Sequence, residues 1–310
     1  MINPMQLQTL DSVCRTGSFA ETARVLGYTP SAISQQIQAL ERTLGVQLFE
    51  REAHRAQPNR IALAIVEASR GAVVELAKLD DEVRRLVEGR GGAFSIATFA
   101  TASVGFVSAG LAETIRARPG LSLSLIEGEP DDTVPLVVDG TVDLAVVYEY
   151  GLAPRTWPAT IALEELADEP LHLLVPTERT PWAPALDPLT TEDAGEVVRR
   201  LRDAPWISSG SSTGGAEALE RLCASQGFAP RVAFRANNYD VLLHLVGNGL
   251  GVAIAPDLAL RPHAGIRVLR LTSDRAFRRI LFASRRAHVD GVRAEVTRTL
   301  AQAWQRRHTG

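Results

Sequence analysis

The sequence predicts a mixed α/β chain in three parts: a small helical unit over residues 1–60, a long linking helix over 61–90, and a larger α/β region over 93–310. Three observations predict it. Short, well-punctuated helical patterns fill the first part. One amphipathic stretch follows, ending at Gly89, Gly91 and Gly92. Beyond it, short apolar runs alternate with helical segments. The size agrees, since 310 residues at ~100–200 per domain make two or three units. A content of 45% hydrophobic and 22% charged residues is ordinary for a chain with packed cores.

In the first part, Leu7, Leu10, Val13 and Cys14 share one face of a first helix. Ser18 and Glu21 have the spacing of a capping box, with a hydroxyl at the cap and a carboxylate three residues on. Phe19, Ala23 and Leu26 repeat at helical spacing until Gly27, which can take the left-handed conformation that stops a helix. Thr29 caps a third helix, and Pro30 occupies its first position, where no amide donor is needed. On that helix Ile33, Ile37, Leu40 and Leu44 form one stripe; Ser31, Ser34, Gln35, Gln38 and Arg42 form the opposite one. Two helices joined by a short turn with glycine make a helix-turn-helix, here about residues 19–38. Serine and glutamine can read base edges in a major groove, and arginine can read guanine or hold phosphate. Solvation alone also produces a polar helix face, so the pattern leaves both readings open. Residues 45–60 add Arg51, His54, Arg55 and Arg60 after the apolar Leu48 and Phe49, in the manner of a wing laid on a nucleic-acid backbone. The net charge of −3 lends no support of its own to nucleic-acid binding.

Several runs of this region carry a family resemblance: Gly17-Ser18-Phe19-Ala20, Ala23-Arg24-Val25-Leu26, Ser31-Ala32-Ile33-Ser34-Gln35-Gln36-Ile37, Leu40-Glu41, and Leu44-Gly45-Val46-Gln47-Leu48-Phe49-Glu50-Arg51. Together they resemble the LysR-type transcriptional regulators, and the resemblance continues through nearly the whole chain. It implies a winged helix-turn-helix on double-stranded DNA at a pseudo-palindromic site. Thr29, Ser31, Ser34, Gln35, Gln38, Arg42, Arg51 and Arg55 are then the DNA-binding candidates. The sequence departs from the family pattern at Pro30, where glutamine is frequent, and at Gln35, where arginine is frequent. After the wing, Pro58-Asn59-Arg60-Ile61-Ala62 replaces the usual Leu-Thr-x-Ala-Gly.

Ile61, Ile65, Ala68, Ala72, Leu76, Leu79, Val83 and Leu86 form a near-heptad seam with one irregular step. A helix over 61–90 would run about 45 Å and cannot bury such a seam alone. The resemblance implies pairing with a second subunit, and assembly as a dimer of dimers, a homotetramer.

Strands are expected over 94–99, 121–126 and 142–148, with helices near 102–117 and 130–139 between them, a βαβ pattern with a parallel sheet. A second set covers 171–175, 206–208, 231–234 and 251–255, followed by strand-like runs in 266–283 and a last helix over 290–307. The resemblance implies an effector domain like a periplasmic binding protein. Its subdomain I takes 93–163 plus 267–310 and its subdomain II 164–266, with chain crossings near 161–165 and 265–268. Ligands in such folds sit at the carboxyl ends of strands beside helix N-termini. That rule selects Thr101, Ser103, Glu127, Tyr148, Ser209, Ser211, Thr213, Asn237 and Pro256 as effector contacts. Hydroxyls at 208–213 oppose carboxylates at Glu127, Glu129 and Glu149, which suits a small organic acid or an amino acid.

Other chemistries find little support. Gly247-Asn248-Gly249-Leu250-Gly251 precedes a strand instead of following one, so it is not a dinucleotide loop. The six histidines show no metal-ligand spacing, and no cofactor or catalytic residue is expected. Cys14 and Cys223 are too few for a disulfide framework. No signal peptide or membrane-length apolar run is seen, so a cytoplasmic protein is expected. Two alternatives remain: a solute-binding protein, which leaves 1–90 without a role, and an α/β enzyme with a helical oligomerisation arm.

Overall fold

A computed structural model describes residues 3–52, 55–87, 92–178, 180, 182, 194–286 and 291–309. They form two compact units: residues 1–93 with short segments 120–122 and 138–141, and the remainder.

The first unit contains α1 (Pro4–Thr16), α2 (Phe19–Leu26), α3 (Pro30–Leu44), a hairpin of β1 (Phe49–Glu52) and β2 (Arg55–Pro58), and α4 (Arg60–Val87). Each of the first three helices has a side-chain cap at its start: Asn3, Ser18 and Thr29. Each ends on a left-handed glycine, Gly17, Gly27 and Gly45, at φ of 64°, 72° and 71°. The expected capping box is half formed. Ser18 Oγ accepts from the Glu21 amide at 3.3 Å, but the Glu21 carboxylate turns to Arg24, at 2.6 and 3.2 Å. The Ser18 amide donates to Thr16 Oγ1 instead. A guanidinium within reach makes a stronger bond to a carboxylate than a neutral amide does.

Leu10, Val13, Ala23, Ile33, Ile37, Leu40 and Leu48 close one core with Ala56, Ala62 and Val66. Two polar side chains fasten the wing to it. Glu41 Oε1 accepts from the Leu48 amide at 2.8 Å. Asn59 donates to the Gln47 carbonyl at 2.7 Å, and its Oδ1 accepts from the amides of Ile61 and Ala62 at 3.0 Å. Asn59 therefore starts α4 from the position where the family pattern has threonine.

The second unit opens with β3 (Ala93–Thr98) and a helical run over 100–117 made of α5 (Ala100–Ala102), a π-turn (Ser103–Val107) and α6 (Ser108–Ala117). Next come β4 (Ser122–Glu127), α7 (Pro130–Val138), β5 (Leu144–Tyr150) and the long β6 (Ile161–Pro176). Then follow α8 (Ala194–Arg200), β7 (Pro205–Ser208), α9 (Gly214–Ser225), β8 (Arg231–Arg235), α10 (Tyr239–Gly247) and β9 (Ala253–Pro256). The chain ends with β10 (Ile266–Arg270), β11 (Phe277–Arg285) and α11 (Gly291–Thr309). α11 lies on α6 with little clearance. A Cβ built on Gly110 would sit 2.7 Å from Leu300 Cδ2, and the buried hydroxyls of Thr114 and Thr299 meet at 2.8 Å.

The expected parallel sheet is mixed. β3 and β5 are parallel, but β11 lies antiparallel to both β5 and β6. In the second half β7 and β8 are parallel, while β9 and β10 flank β6 antiparallel. β6 serves both halves: residues 161–170 pair with β11, and 171–176 pair with β9 and β10. The first crossing thus lies near Pro170, later than the expected 161–165, and β10 belongs to the second half, which moves the return crossing to 271–276. The run Ile161-Ala-Leu-Glu-Glu-Leu-Ala-Asp-Glu is rich in helix formers. Pairing along β11 overrides that preference, helped by bonds from Arg279 to Asp168 at 2.8 and 2.9 Å. One apolar core forms under the first sheet around Val137, Val147 and Leu281, and another under the second around Leu174, Leu243 and Val246.

Replacing Asn59 by alanine removes the cap of α4 and the tie to Gln47. The expected loss is about 1–2 kcal/mol, with Asn59→Asp losing less because the cap oxygen survives. Urea denaturation of the full chain reads both.

Candidate functional site

The first unit presents a polar face on α3. Ser31, Gln35, Gln38 and Arg42 are exposed and Ser34 is half-buried. Thr29 spends its hydroxyl on the cap, accepting from the Ala32 amide at 3.2 Å, and lies 3.0 Å from Ser31 Oγ. Arg42 Nε donates to the Gln38 carbonyl at 3.3 Å, and Gln38 Nε2 is 3.5 Å from Ser34 Oγ. Arg51 and Arg55 sit at facing ends of the hairpin, paired with Ala56 and Glu52 respectively; their side chains, and His54 altogether, lie outside the described residues. Gln36 points elsewhere: it accepts from the Thr9 hydroxyl and donates toward Met5 Sδ, bracing α3 on α1.

The second unit holds a cleft between its two sheets, about 430 Å³ with its open mouth. It is walled by Phe99, Tyr148, Tyr150 and Tyr239, with Thr101, Glu129, Ser209, Thr213, Asn237 and Arg278 supplying polar groups. Register explains its base. β5, β11 and β6 place Tyr150, Arg278 and Glu169 side by side in one row. Strand alternation then sends Arg278 inward and its neighbour Arg279 outward.

Arg278 is 1% exposed and Glu169 equally buried. Arg278 Nε donates to Glu169 Oε1 at 2.6 Å and its Nη2 to Thr101 Oγ1 at 2.8 Å. The guanidinium also stacks near the rings of Phe99 and Tyr148, at 4.7 and 5.0 Å. Glu169 Oε2 accepts from the Leu258 amide at 2.8 Å. Burial works against the charge on Arg278, but the Glu169 carboxylate outweighs it and the pKa is raised. Burial also raises the pKa of Tyr148, Tyr150 and Tyr239, so all three stay neutral hydrogen-bond donors. The Tyr148 hydroxyl donates to Glu129, and the hydroxyls of Tyr150 and Tyr239 lie 3.5 Å apart.

Of the residues selected from sequence, Thr101, Tyr148, Ser209, Thr213 and Asn237 line this cleft. Pro256 lines an adjoining hollow. Ser209 Oγ and Thr213 Oγ1 meet at 2.6 Å, Thr213 caps α9 through the Ala216 amide, and Asn237 Oδ1 accepts from the Gly210 amide at 2.7 Å. Three others lie apart from it. Ser211 and Glu127 are exposed, and Ser103 is in the π-turn with its hydroxyl lacking a partner among the described residues. Glu129 lines the cleft two residues beyond Glu127, while Glu149 accepts from Trp157 Nε1 at 3.0 Å. Arg278 and Tyr239 escaped the sequence reading, whereas Phe99 and Tyr150, not singled out by it, fall within the strand-end stretches 98–103 and 148–150 that it assigned to ligand. The doublet Arg278-Arg279 opposite the acidic run 164–169 was the available signal. Burial pushes the Cys14 thiol up to about 11, aided by Asp11, and the Cys223 thiol up to about 12, so neither is a reactive thiolate at neutral pH. No group of acidic, histidine or cysteine side chains among the described residues could hold a metal ion.

Residues 4–62 match the family described as “Bacterial regulatory helix-turn-helix protein, lysR family”, and residues 88–306 match the “LysR substrate binding domain”. The chain belongs to the LysR family of transcription regulators, with a DNA-binding helix-turn-helix followed by an effector-binding domain. It is 27% identical over 269 residues to the HTH-type transcriptional regulator IlvR of Caulobacter vibrioides, covering 86% of each chain. It is 27% identical over 258 residues to the uncharacterized HTH-type transcriptional regulator YcgK of Bacillus subtilis, covering 80% of this chain and 78% of that one. These relatives are named as regulators, and the chain is a regulator, not an enzyme. Its fold is similar to full-length CbnR complexed with its target DNA, at a TM-score of 0.63 and 22% identity over 97% of this chain and 100% of that one. A cysteine-to-aspartate variant of full-length OxyR from Pseudomonas aeruginosa is similar at a TM-score of 0.64 and 18% identity, over 98% and 95% of the two chains.

Arg278→Met leaves the Glu169 carboxylate buried beside a single amide donor. The expected loss of stability is about 3–5 kcal/mol, and adding Glu169→Gln should recover part of it. Denaturation midpoints of the wild type, single and double variants check this; equal losses in the single and double variants contradict it.

Proposed function

We propose that α3 enters the major groove of a pseudo-palindromic promoter site, with Ser31, Ser34 and Gln35 at base edges. Thr29, Gln38, Arg42, Arg51 and Arg55 hold the flanking backbone. The observation that carries this reading is the exposed row Ser31, Gln35, Gln38 and Arg42 on a helix whose opposite face is fixed in a core. A second copy completes the DNA-binding form by covering α4, where Leu76, Leu79 and Val83 are 38%, 57% and 50% exposed. Two such dimers then associate. The protein acts in the cytoplasm, where its DNA is.

The effector is a small organic acid or an amino acid held in the cleft. Arg278 supports this reading as the one cation among the cleft's described lining residues. The lining comes from both sheets, so an occupant touches both subdomains and shifts whichever equilibrium separates its preferred form from the empty one. That shift changes subunit packing, and with it the spacing of the recognition helices.

Gel shifts with the upstream DNA test the first part. Binding should weaken steeply with salt, and Arg42→Ala should reduce the log–log salt slope by about 0.9 per lost phosphate contact. Gln35→Ala should relax discrimination at one base pair by about 1–3 kcal/mol. Salt-insensitive binding, or none at low ionic strength, refutes the assignment. Leu79→Asp should lower the mass of the assembly by half or more in light scattering and weaken DNA binding with it. An unchanged mass would remove α4 as the interface.

A further inference from the structure

The cleft contains two charged side chains of opposite sign, each with an atom to spare. Arg278 uses Nε on Glu169 and Nη2 on Thr101; among the described residues its Nη1 has no hydrogen-bond partner. Glu129 accepts the Tyr148 hydroxyl on Oε2; among the described residues its Oε1 accepts nothing. Both side chains line the same space.

The charges are unequally answered. Arg278 is already balanced by Glu169 at 2.6 Å, and the three phenols are neutral. Among the described lining residues, Glu129 is therefore the uncompensated charge of the cleft. A plain carboxylate would meet Arg278 but bring a second negative charge near Glu129. An amine alone would answer Glu129 and leave Nη1 bare. The faces of Phe99 and Tyr148 are taken by the guanidinium, at 4.7 and 5.0 Å, so they do not form an open cage for a quaternary ammonium. A primary ammonium, with three donors, suits Glu129 better. Beside the cleft lies a hollow that shares Tyr150, Ser209, Gly215 and Tyr239 with it. Its further walls are Leu171, Ile207, Leu219, Leu242 and Ile254, which offer an aliphatic side chain a dry place.

We propose that the effector is an amino acid with an apolar side chain: its carboxylate bonds Arg278 Nη1, its ammonium bonds Glu129 Oε1, and its side chain enters the adjoining hollow. This rests on the cleft being the effector site.

Calorimetric titration of the full-length protein tests it with leucine, valine, methionine and phenylalanine. For each one that binds, the deaminated acid and the decarboxylated amine on the same skeleton are titrated too, as are aspartate and glutamate. At least one apolar amino acid should bind, with both of its truncated analogues and the acidic amino acids weaker by about tenfold or more, since each leaves a polar group unpaired or repelled. Glu129→Gln, which keeps an acceptor for Tyr148, should weaken the amino acid by a similar factor without weakening the deaminated acid. The proposal is overturned if the deaminated acid binds wild type as tightly as the amino acid, or if Glu129→Gln leaves amino-acid affinity unchanged; the effector cleft would survive either result. Gly215→Leu separates the two readings. A Cβ at Gly215 already lies 2.9 Å from Ser209 Oγ, so the larger side chain should block the cleft. Binding that persists in this variant removes the cleft reading itself, whereas binding by none of the four apolar amino acids overturns the proposal and leaves the cleft reading standing.

Discussion

The effector domain depends on one buried ion pair, Arg278 with Glu169, at the place where the chain passes from one sheet to the other. Glu169 lies on β6 where its pairing changes partner, and Arg278 lies opposite it on the strand that returns. One carboxylate oxygen holds the guanidinium; the other holds the Leu258 amide, which belongs to a short turn of the second subdomain. The pair thus fixes the register of β6 on β11 and ties that register to the far sheet. Removing two charges from water is costly, and hydrophobic residues of similar volume often serve stability as well or better. They would not leave a guanidinium nitrogen at the floor of a cleft. The pair is better understood as a device for placing a charge than as a source of stability.

A comparable division of labour shapes the DNA-binding unit. Four of its polar side chains serve the fold itself: Glu41 and Asn59 fasten the wing, Thr16 meets Thr22 at 2.8 Å, and Gln36 braces α3 on α1. The outward row of α3 is left without a structural task beyond local contacts along the helix. A face that the fold does not need can vary with the DNA it meets, which is consistent with the departure from the family pattern at Gln35.

What could be read from the sequence followed local chemistry. Helix limits in the first unit were legible because caps and stops are local events: Thr29 and Pro30 begin α3, and Gly27 ends α2. The cleft was legible only where it is built from strand ends, as with Ser209, Thr213 and Asn237. Arg278, Glu169 and Tyr150 are 19 to over 100 residues apart in sequence and meet through register, which no local pattern encodes. The first half of β6 was hidden for a related reason, because its composition favours a helix and only pairing with β11 makes it a strand. Glu127 and Glu129 differ by two positions at a strand end, where a small boundary shift decides which carboxylate turns into the cleft.

The negative net charge does not oppose the DNA-binding assignment, because phosphate attraction depends on charge within a Debye length of about 8–10 Å. Three acids of the helix-turn-helix and its flanks are committed to partners. Asp11 pairs with Arg15 at 3.2 Å, Glu21 with Arg24 at 2.6 Å, and Glu41 with the Leu48 amide. Each such pair presents a small dipole to the solvent in place of a bare charge. The outward face of α3 carries Ser31, Gln35 and Gln38 with Arg42 toward its end, and no carboxylate stands in that row. A groove of DNA laid against it meets neutral hydrogen-bonding groups flanked by arginine. On the proposed reading, such a surface gains its selectivity from base contacts and only modest attraction from charge, and the second copy proposed to pair along α4 would supply the remaining affinity by doubling both.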